Sequence, residues 1–180
     1  MARAAKTKTT DAISLLKADH RKVESLFERY EKSRSNRAKA QLAREICLEL
    51  SVHTTIEEEL FYPAIKATVE GEIYNEAYVE HDGAKVLIAE ILSGAPDHDF
   101  YDAKVKVLSE MIKHHVKEEE QRGGMFAQAR DDGDVDLAEL GAAMATRKAA
   151  LAAQMKSAGV PTPATRSMQG APVDRATPLA

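Results

Sequence analysis

Cysteine is nearly absent from this sequence, which contains only one, Cys47. A single cysteine excludes an intramolecular disulfide and any zinc motif built from several cysteines. We expect Cys47 to be a small packed residue of the core. The low use of cysteine agrees with a cytoplasmic setting.

Long apolar runs are also lacking, and the longest are far too short to span a bilayer. The first ten residues, MARAAKTKTT, are basic but have no apolar stretch, so they do not resemble a secretory signal. The net charge is only −4, which gives no field that favours nucleic acid or an anionic membrane. We therefore expect a cytoplasmic protein that contacts neither a membrane nor nucleic acid.

Glycine and proline are scarce, and they separate four long segments of good helix formers: 11–32, 36–61, 71–92 and 97–122. Pro63 is expected to disturb the end of the second helix. Gly94 is placed to follow the third helix, and Gly123–Gly124 to end the fourth. Asp97 or Asp99 is the expected N-cap of the fourth helix.

No segment alternates apolar and polar residues with a period of two, so strands are not expected. Four long helices with short connections predict an all-α fold, an up-down antiparallel four-helix bundle over 11–130. An alanine-rich stretch predicts an additional C-terminal helix within 131–158. A flexible N-terminus over 1–10 and a disordered tail over 159–180 complete the predicted organisation.

Each of the four bundle helices carries one histidine among aliphatic residues spaced at alternating steps of three and four. These histidines are His20, His53, His81 and His115. Residues at i and i+4 lie side by side on a helix, and a glutamate follows two of the histidines at this offset. The glutamates are Glu57 and Glu119. Burying two ionised carboxylates in a bundle core is costly unless a cation lies between them, so these six residues are the predicted metal ligands.

The other acidic and histidine side chains near these six residues are predicted to lie outside the metal site. His114 with Glu118 repeats the i, i+4 pair and is the less favoured alternative, because the aliphatic seam through Ile112 points to His115. His98 is expected in solvent. Asp19 and Asp82, each beside a predicted ligand, are expected to point away from the seam, and support of a neighbouring ligand is the alternative for both. A solvated charged face is expected for the remaining glutamates beside the predicted ligands, which are Glu58, Glu59, Glu118 and Glu120.

The predicted ligand set restricts the metal. Four imidazoles and two carboxylates exceed the four ligands of a tetrahedral zinc and suit two octahedral ions. Mixed nitrogen and oxygen donors suit iron or manganese, and ligand softness does not separate the two. The Glu-x-x-His spacing of ferritin-like proteins and the zincin His-Glu-x-x-His are both absent from the sequence.

The order His, His-x-x-x-Glu, His, His-x-x-x-Glu resembles the hemerythrin-like, or HHE cation-binding, proteins over about residues 11–130. The resemblance rests on LLKADH around His20, HTTIEEELFYP, VEHDGAK around His81, and HHVKEEE. It implies a four-helix bundle with a non-haem di-iron centre, bridged by oxo or hydroxo and by two carboxylates. Oxygen-carrying hemerythrins have His-x-x-x-His on the third helix. Here Lys85 stands four residues after His81, which argues against reversible oxygen transport.

The resemblance implies a protein that binds or reacts with dioxygen, peroxide or nitric oxide. Its role would be oxygen sensing or storage, iron handling, or defence against oxidative or nitrosative stress. The alternative is a catalase-like enzyme that disproportionates hydrogen peroxide, and the third hypothesis is a metal-free helical adaptor. We expect a monomer, or a homodimer formed through the apolar stripe of the C-terminal helix: Leu137, Leu140, Met144 and Leu151. A dry cavity is expected to be lined by Ile13, Ile46, Ile88 and Ile112.

Overall fold

The computed structural model describes residues 10–131, 133–168 and 170, and within these ranges the chain forms helices and no strands. The four helices of the bundle, called the long helices below, are α1 Ala12–Lys32, α2 Asn36–Ile56, α4 Gly71–Ser93 and α5 Tyr101–Glu120. The short helices α3 Tyr62–Ile65 and α6 Met125–Asp131 and the C-terminal helix α7 Leu137–Ala158 complete the fold. The all-α fold class is therefore confirmed. Of the helices described, none combines the length and the hydrophobicity that a membrane crossing needs.

Two apolar clusters fill the bundle, one at each end. The first joins the beginning of α1 to the end of α2 and to α6, and it contains Leu16, Phe61 and Phe126. The second joins the end of α1 to the beginning of α2, and it contains Phe27 and Ile46. Because opposite ends of α1 and α2 share a cluster, these helices run antiparallel. On α1 and α4 the predicted ligands His20 and His81 lie in sequence between residues of the first cluster and residues of the second.

Helix α1 begins where the carboxylate of Asp11 accepts a hydrogen bond from the Ser14 amide at 2.7 Å. The predicted capping of the fourth helix is wrong. Helix α5 begins after Phe100, and no side chain caps it. Backbone hydrogen bonds from His98 to Ala95 and from Tyr101 to His98 form turns that carry the intervening aspartates away from the helix end.

Helix α2 passes into one π-helical turn, Glu57–Phe61, in which the Tyr62 amide donates to the Glu57 carbonyl. Pro63 causes this widening, because proline has no N–H and its ring clashes with the carbonyl four residues before it. The wider turn shifts the helical register by one residue. Phe61 is consequently fully buried, whereas the preceding Leu60 is only half-buried.

Helix α5 ends at Glu120, and the following glycines reverse the chain. Gly123 has a φ of +79°, and a Cβ on Gly124 would lie 2.2 Å from the Glu118 carbonyl oxygen. This turn lets α6 fold back beneath the bundle. The ring of Phe126 then stacks on His20, with centroids 5.8 Å apart and planes 7° from parallel.

Helix α7 packs along α1 and α2. Its predicted apolar stripe packs on the first apolar cluster of the same chain: Leu137, Leu140, Met144 and Leu151. Gly141 permits the close approach, because a Cβ there would lie 2.5 Å from the Thr10 carbonyl oxygen. The stripe therefore serves as intramolecular core, and a homodimer through this helix stays a prediction.

Part of the segment predicted to be a disordered tail is ordered against α4. The Oδ2 atom of the fully buried Asp82 accepts from the amides of Arg166, Ser167 and Met168 and from the Ser167 hydroxyl, over 2.5–3.1 Å. Burial raises the pKa of Asp82, but these donors outweigh it and lower the pKa to about 2. Composition misses this contact, because the carboxylate that accepts these hydrogen bonds lies 84 residues away from Arg166 in the sequence. The predicted flexible residues 1–9 and 171–180 lie outside the described residues.

Candidate metal centre

Four imidazoles meet between the two apolar clusters, one from each long helix. The Nε2 atoms of His20 and His53 are 3.2 Å apart, and those of His81 and His115 are also 3.2 Å apart. Each of these histidines is at most 5% exposed. The structure thus brings together the four histidines that the seam pattern singles out.

Glu57 and Glu119 lie between the two histidine pairs. The Oε2 atom of Glu57 is 3.1 Å from His53 Nε2 and 3.4 Å from His81 Nε2. The carboxylate of Glu119 likewise approaches His20 Nε2 at 3.3 Å and His115 Nε2 at 3.6 Å. Each glutamate therefore faces one imidazole of each pair, which is the placement of a carboxylate that bridges two ions.

The ligand atoms of the six predicted residues form two groups, each with its atoms within 4.8 Å of one another. One group is His20, His53, Glu57 and Glu119, and the other is Glu57, His81 and His115. Glu57 belongs to both groups. The arrangement fits two adjacent cations that share a carboxylate.

The two central carboxylates lack the partners that burial normally requires. No donor among the described residues hydrogen-bonds either oxygen of Glu57 or the Oε2 atom of Glu119. Burial raises the pKa of Glu57 well above its usual value, and the charge of Glu119 raises it further. Burial also raises the pKa of Glu119, but the imidazoles of His115, His20 and His53 outweigh it and lower that pKa to about 2. Unpaired buried acceptors of this kind are expected where a cation binds.

The Nδ1 atom of each central imidazole faces a carboxylate oxygen. The pairs are His20–Glu120 at 2.7 Å, His53–Asp19 at 3.5 Å, His81–Glu58 at 3.0 Å and His115–Glu80 at 2.7 Å. A carboxylate at Nδ1 favours the proton there and leaves the lone pair of Nε2 directed into the centre. Two such lone pairs 3.2 Å apart repel each other unless a cation lies between them.

Burial also favours the neutral form of the imidazoles, which is the form in which histidine can bind a metal. It lowers the pKa of His53 to about 4, although Asp19 acts in the opposite direction. It lowers the pKa of His81 as well. At His115 burial again lowers the pKa, but Glu119 and Glu80 outweigh it and raise the pKa overall. A bound cation would remove that effect by neutralising Glu119.

These outer carboxylates, Asp19, Glu58, Glu80 and Glu120, form a closed ring around the bundle. Asp19 on α1 contacts His53 on α2, and Glu58, which follows α2, contacts His81 on α4. Glu80 on α4 contacts His115 on α5, and Glu120 on α5 contacts His20 on α1. Each stands next in sequence to a central ligand. Because adjacent helical residues point about 100° apart, each reaches the neighbouring helix.

The prediction of a solvated charged face is therefore wrong for two of the surrounding acids. Glu58 and Glu120 are not part of a solvated face, since each contacts a central histidine. Asp19 and Asp82, for which only a direction away from the seam is predicted, are both buried. The missed signal is an acid directly beside four of the six predicted ligands, before His20 and His81 and after Glu57 and Glu119. The partner of each such acid lies on another helix.

The alternative pair His114 and Glu118 lies outside the centre. The His114 side chain is 56% exposed, and its Nε2 atom lies 3.5 Å from the outer carboxylate Glu80. Glu118 is half-exposed and accepts a hydrogen bond from Gln121. His98 is exposed in the loop before α5.

Tyr62 is a residue of the centre that the sequence does not reveal. Its ring stacks on His81 at 5.3 Å, and its hydroxyl lies 3.2 Å from His81 Nε2 and donates to Glu119 Oε1 at 3.3 Å. Burial raises the pKa of Tyr62 well above its usual value, and the charges of Glu57 and Glu119 add to the effect. The π-helical turn brings this side chain inward, and the regular seam pattern contains no such turn.

Lys85 stands four residues after His81, at the position where oxygen-carrying hemerythrins have a second histidine on the third helix. Its ammonium group does not enter the centre. It contacts Glu58 at 2.7 Å and Asp82 at 3.3 Å, and donates to the Ala164 carbonyl at 3.3 Å. Lys85 therefore supports the carboxylate that holds His81.

A cavity of about 10 Å³ adjoins the imidazoles, which is room for about one water molecule. Its apolar lining consists of Val23, Leu50, Ile112 and Val116. Ile112 is thus placed as expected. The other expected lining residues do not reach the cavity, because they lie deeper within the two apolar clusters: Ile13, Ile46 and Ile88.

Fold and site together define a helical-bundle protein with a buried cation site of imidazoles and carboxylates. The sequence model of the hemerythrin HHE cation binding domain matches residues 11–123. The chain therefore belongs to this family of cation-binding domains, which confirms the resemblance seen in the motifs.

Two relatives extend the comparison. Over 118 residues, or 66% of its length, the chain is 26% identical to a protein of Nostoc sp. (strain PCC 7120) named DNA nickase, and the match spans only 33% of that protein. A solved hemerythrin HHE cation binding domain-containing protein from Mycobacterium kansasii is similar in fold, with a TM-score of 0.69 and 24% identity. That similarity covers 83% of this chain and 94% of the other.

Proposed function

We propose that the chain holds two iron ions and binds or reacts with a small ligand such as dioxygen, peroxide or nitric oxide. The observation that carries the proposal is the pair of buried carboxylates, Glu57 and Glu119, each facing one histidine of each pair and lacking sufficient donors. His20 and His53 would hold one ion, and His81 and His115 the other. Manganese is the alternative metal, because it accepts the same nitrogen and oxygen donors.

Iron bound at this place would supply redox chemistry and open coordination positions for a small ligand. The residues of the chain orient the imidazoles, exclude water and restrict the size of the ligand. The outer carboxylates fix the imidazoles, and the apolar clusters exclude bulk water. The cavity of about 10 Å³ limits the ligand to a few atoms. Oxygen sensing or storage, iron handling, and defence against oxidative or nitrosative stress are the roles that this chemistry serves.

Metal analysis together with an optical spectrum tests the proposal. We expect about two irons per chain after anaerobic loading with ferrous iron and exposure to air, because two ligand groups share a bridging carboxylate. A near-ultraviolet absorption of an oxo-bridged ferric pair should accompany the iron. Addition of nitric oxide to the ferrous protein should change the spectrum. A folded protein that retains neither iron nor manganese after desalting would overturn the proposal.

The Tyr62 hydroxyl favours a second candidate, the disproportionation of hydrogen peroxide. Two molecules of peroxide yield two of water and one of dioxygen, so protons must pass between oxygen atoms. Tyr62 remains a protonated phenol beside Glu119 Oε1, at 3.3 Å, and can exchange a proton with that carboxylate.

Substituting Tyr62→Phe tests this candidate. We expect oxygen evolution from peroxide to fall by on the order of 100-fold, because a positioned acid or base contributes about 10²–10⁴-fold. Iron content should stay unchanged. Tyr74→Phe is the control, since the Tyr74 hydroxyl contacts Tyr78 and not the central residues. Equal rates for Tyr62→Phe and the wild type would exclude the proton-transfer role, and an iron-loaded wild type without oxygen evolution would exclude the candidate.

A further inference from the structure

We propose that Lys148 of α7, which lies beyond the family-matched residues 11–123, is a positioning residue for one half of the metal centre. Lys148 holds the carboxylate of Asp19, and that carboxylate orients His53. The inference rests on the proposed metal binding. It extends the functional unit of this chain past the family domain into the C-terminal helix.

The contacts run through the two oxygens of one carboxylate. The ammonium group of Lys148 contacts Asp19 Oδ1, and Asp19 Oδ2 lies 3.5 Å from His53 Nδ1. The Asp19 side chain is 8% exposed and that of Lys148 27%. The carboxylate is thus enclosed between a lysine on one side and a central imidazole on the other.

Each of the other three outer carboxylates contacts a basic side chain of the four-helix bundle. Glu120 contacts Arg21 at 2.5 Å, Glu58 contacts Lys85 at 2.7 Å, and Glu80 contacts His114 at 3.5 Å. Among the described residues, the lysine or arginine contact of Asp19 comes from Lys148. The family-matched region therefore supports three of the ring carboxylates, and α7 supports the fourth.

Buried residues on the same face of α7 fix the position of Lys148 relative to the bundle. Met144 lies one turn before Lys148 and Leu151 three residues after it, and both are buried, at 0% and 5% exposure. Residues at these offsets share a helix face, so the lysine stem lies on the packed side of α7. The ammonium group can therefore act as a fixed support rather than as a mobile surface charge.

His53 is the imidazole that most needs such support. Its Nδ1 contact is 3.5 Å long, whereas the other three measure 2.7–3.0 Å. At this distance neither His53 Nδ1 nor Asp19 Oδ2 has a hydrogen-bond partner among the described residues. The contact is therefore electrostatic, and its effect on the imidazole depends on the direction in which the carboxylate is held. Without Lys148, Asp19 is free to turn toward water, and the Nε2 atom of His53 loses its fixed direction.

Lys148→Met tests the inference, because it removes the ammonium group and keeps most of the apolar stem. We expect one of the two ions to bind about 10–100-fold more weakly, the usual effect of losing an outer partner of a ligating histidine. Competition with a coloured chelator measures this affinity. Lys148→Arg should largely restore it.

Arg147→Met is the matched control. Arg147 is the adjacent residue of α7 and pairs with Glu59, whose side chain is 42% exposed and contacts none of the central histidines. The control thus removes a cation and an α7 ion pair while leaving Asp19 intact. Equal metal loss in Arg147→Met and Lys148→Met would assign the effect to helix docking and overturn the inference.

Nitrogen NMR of the metal-free protein provides a readout that does not depend on metal. Lys148→Met should shift the His53 imidazole away from the form protonated at Nδ1, while Arg147→Met should not. An unchanged His53 tautomer together with wild-type metal affinity in Lys148→Met would refute the role of Lys148 and leave metal binding standing. A wild type that binds no metal would refute the proposed function, and the NMR comparison would still decide the contact with Asp19.

Discussion

Replacing Glu57 and Glu119 together by alanine is expected to remove nearly all bound iron while the helical bundle stays folded. The two carboxylates carry the negative charge of the centre, and both face both histidine pairs. Four neutral imidazoles without them hold iron far more weakly, so iron should fall from about two per chain to below about 0.2. Metal analysis measures the loss, and circular dichroism checks the helices.

The matched control for this double variant is Glu59→Ala with Glu118→Ala. This control also removes two negative charges, but from glutamates that lie within two residues of Glu57 and Glu119 in the sequence. The side chains of Glu59 and Glu118 are 42% and 30% exposed. Iron content should remain that of the wild type. Glu57→Gln with Glu119→Gln preserves side-chain volume and should lose iron as the alanine variant does. Wild-type iron in either central double variant would overturn the ligand assignment.

Removal of the metal is expected to lower the thermal unfolding midpoint by on the order of 10 °C. An ion that binds only the folded chain stabilises it by about 4 kcal/mol at a thousandfold excess over its dissociation constant. For a chain of this size about 1 kcal/mol corresponds to roughly 2–4 °C. The repulsion between Glu57 and Glu119 acts in the same direction, because the cations that separate them have been withdrawn.

Calorimetry with and without a chelator measures this shift. The Glu57→Ala, Glu119→Ala variant supplies the control, since it holds no metal and its midpoint should not respond to chelator. An unchanged midpoint on chelation of a protein shown to contain two ions would contradict the expectation that the metal is linked to folding.

The sequence alone was sufficient for the four long helices and for the six side chains directed into their common interior. Both follow from helical geometry, because spacing by three and four residues places His20, His53, His81 and His115 on the same faces as the aliphatic seams. The i, i+4 offset then sets each of Glu57 and Glu119 beside its histidine. Such relations are local, and a single helix contains all the information they require.

Only the tertiary structure decided what surrounds those six residues. The outer carboxylates point about 100° away from the seam, so their partners depend on which helix lies alongside, and no pattern within one helix records that. Pro63 predicts a disturbance, but packing decides that it becomes a one-residue register shift that buries Phe61 and brings Tyr62 inward. Lys148 contacts the outer carboxylate Asp19, and Ser167 contacts Asp82, from distant parts of the chain. The positions of the six predicted ligands are thus set by the repeat of the helix, and the residues that contact them from outside are set by the arrangement of the helices.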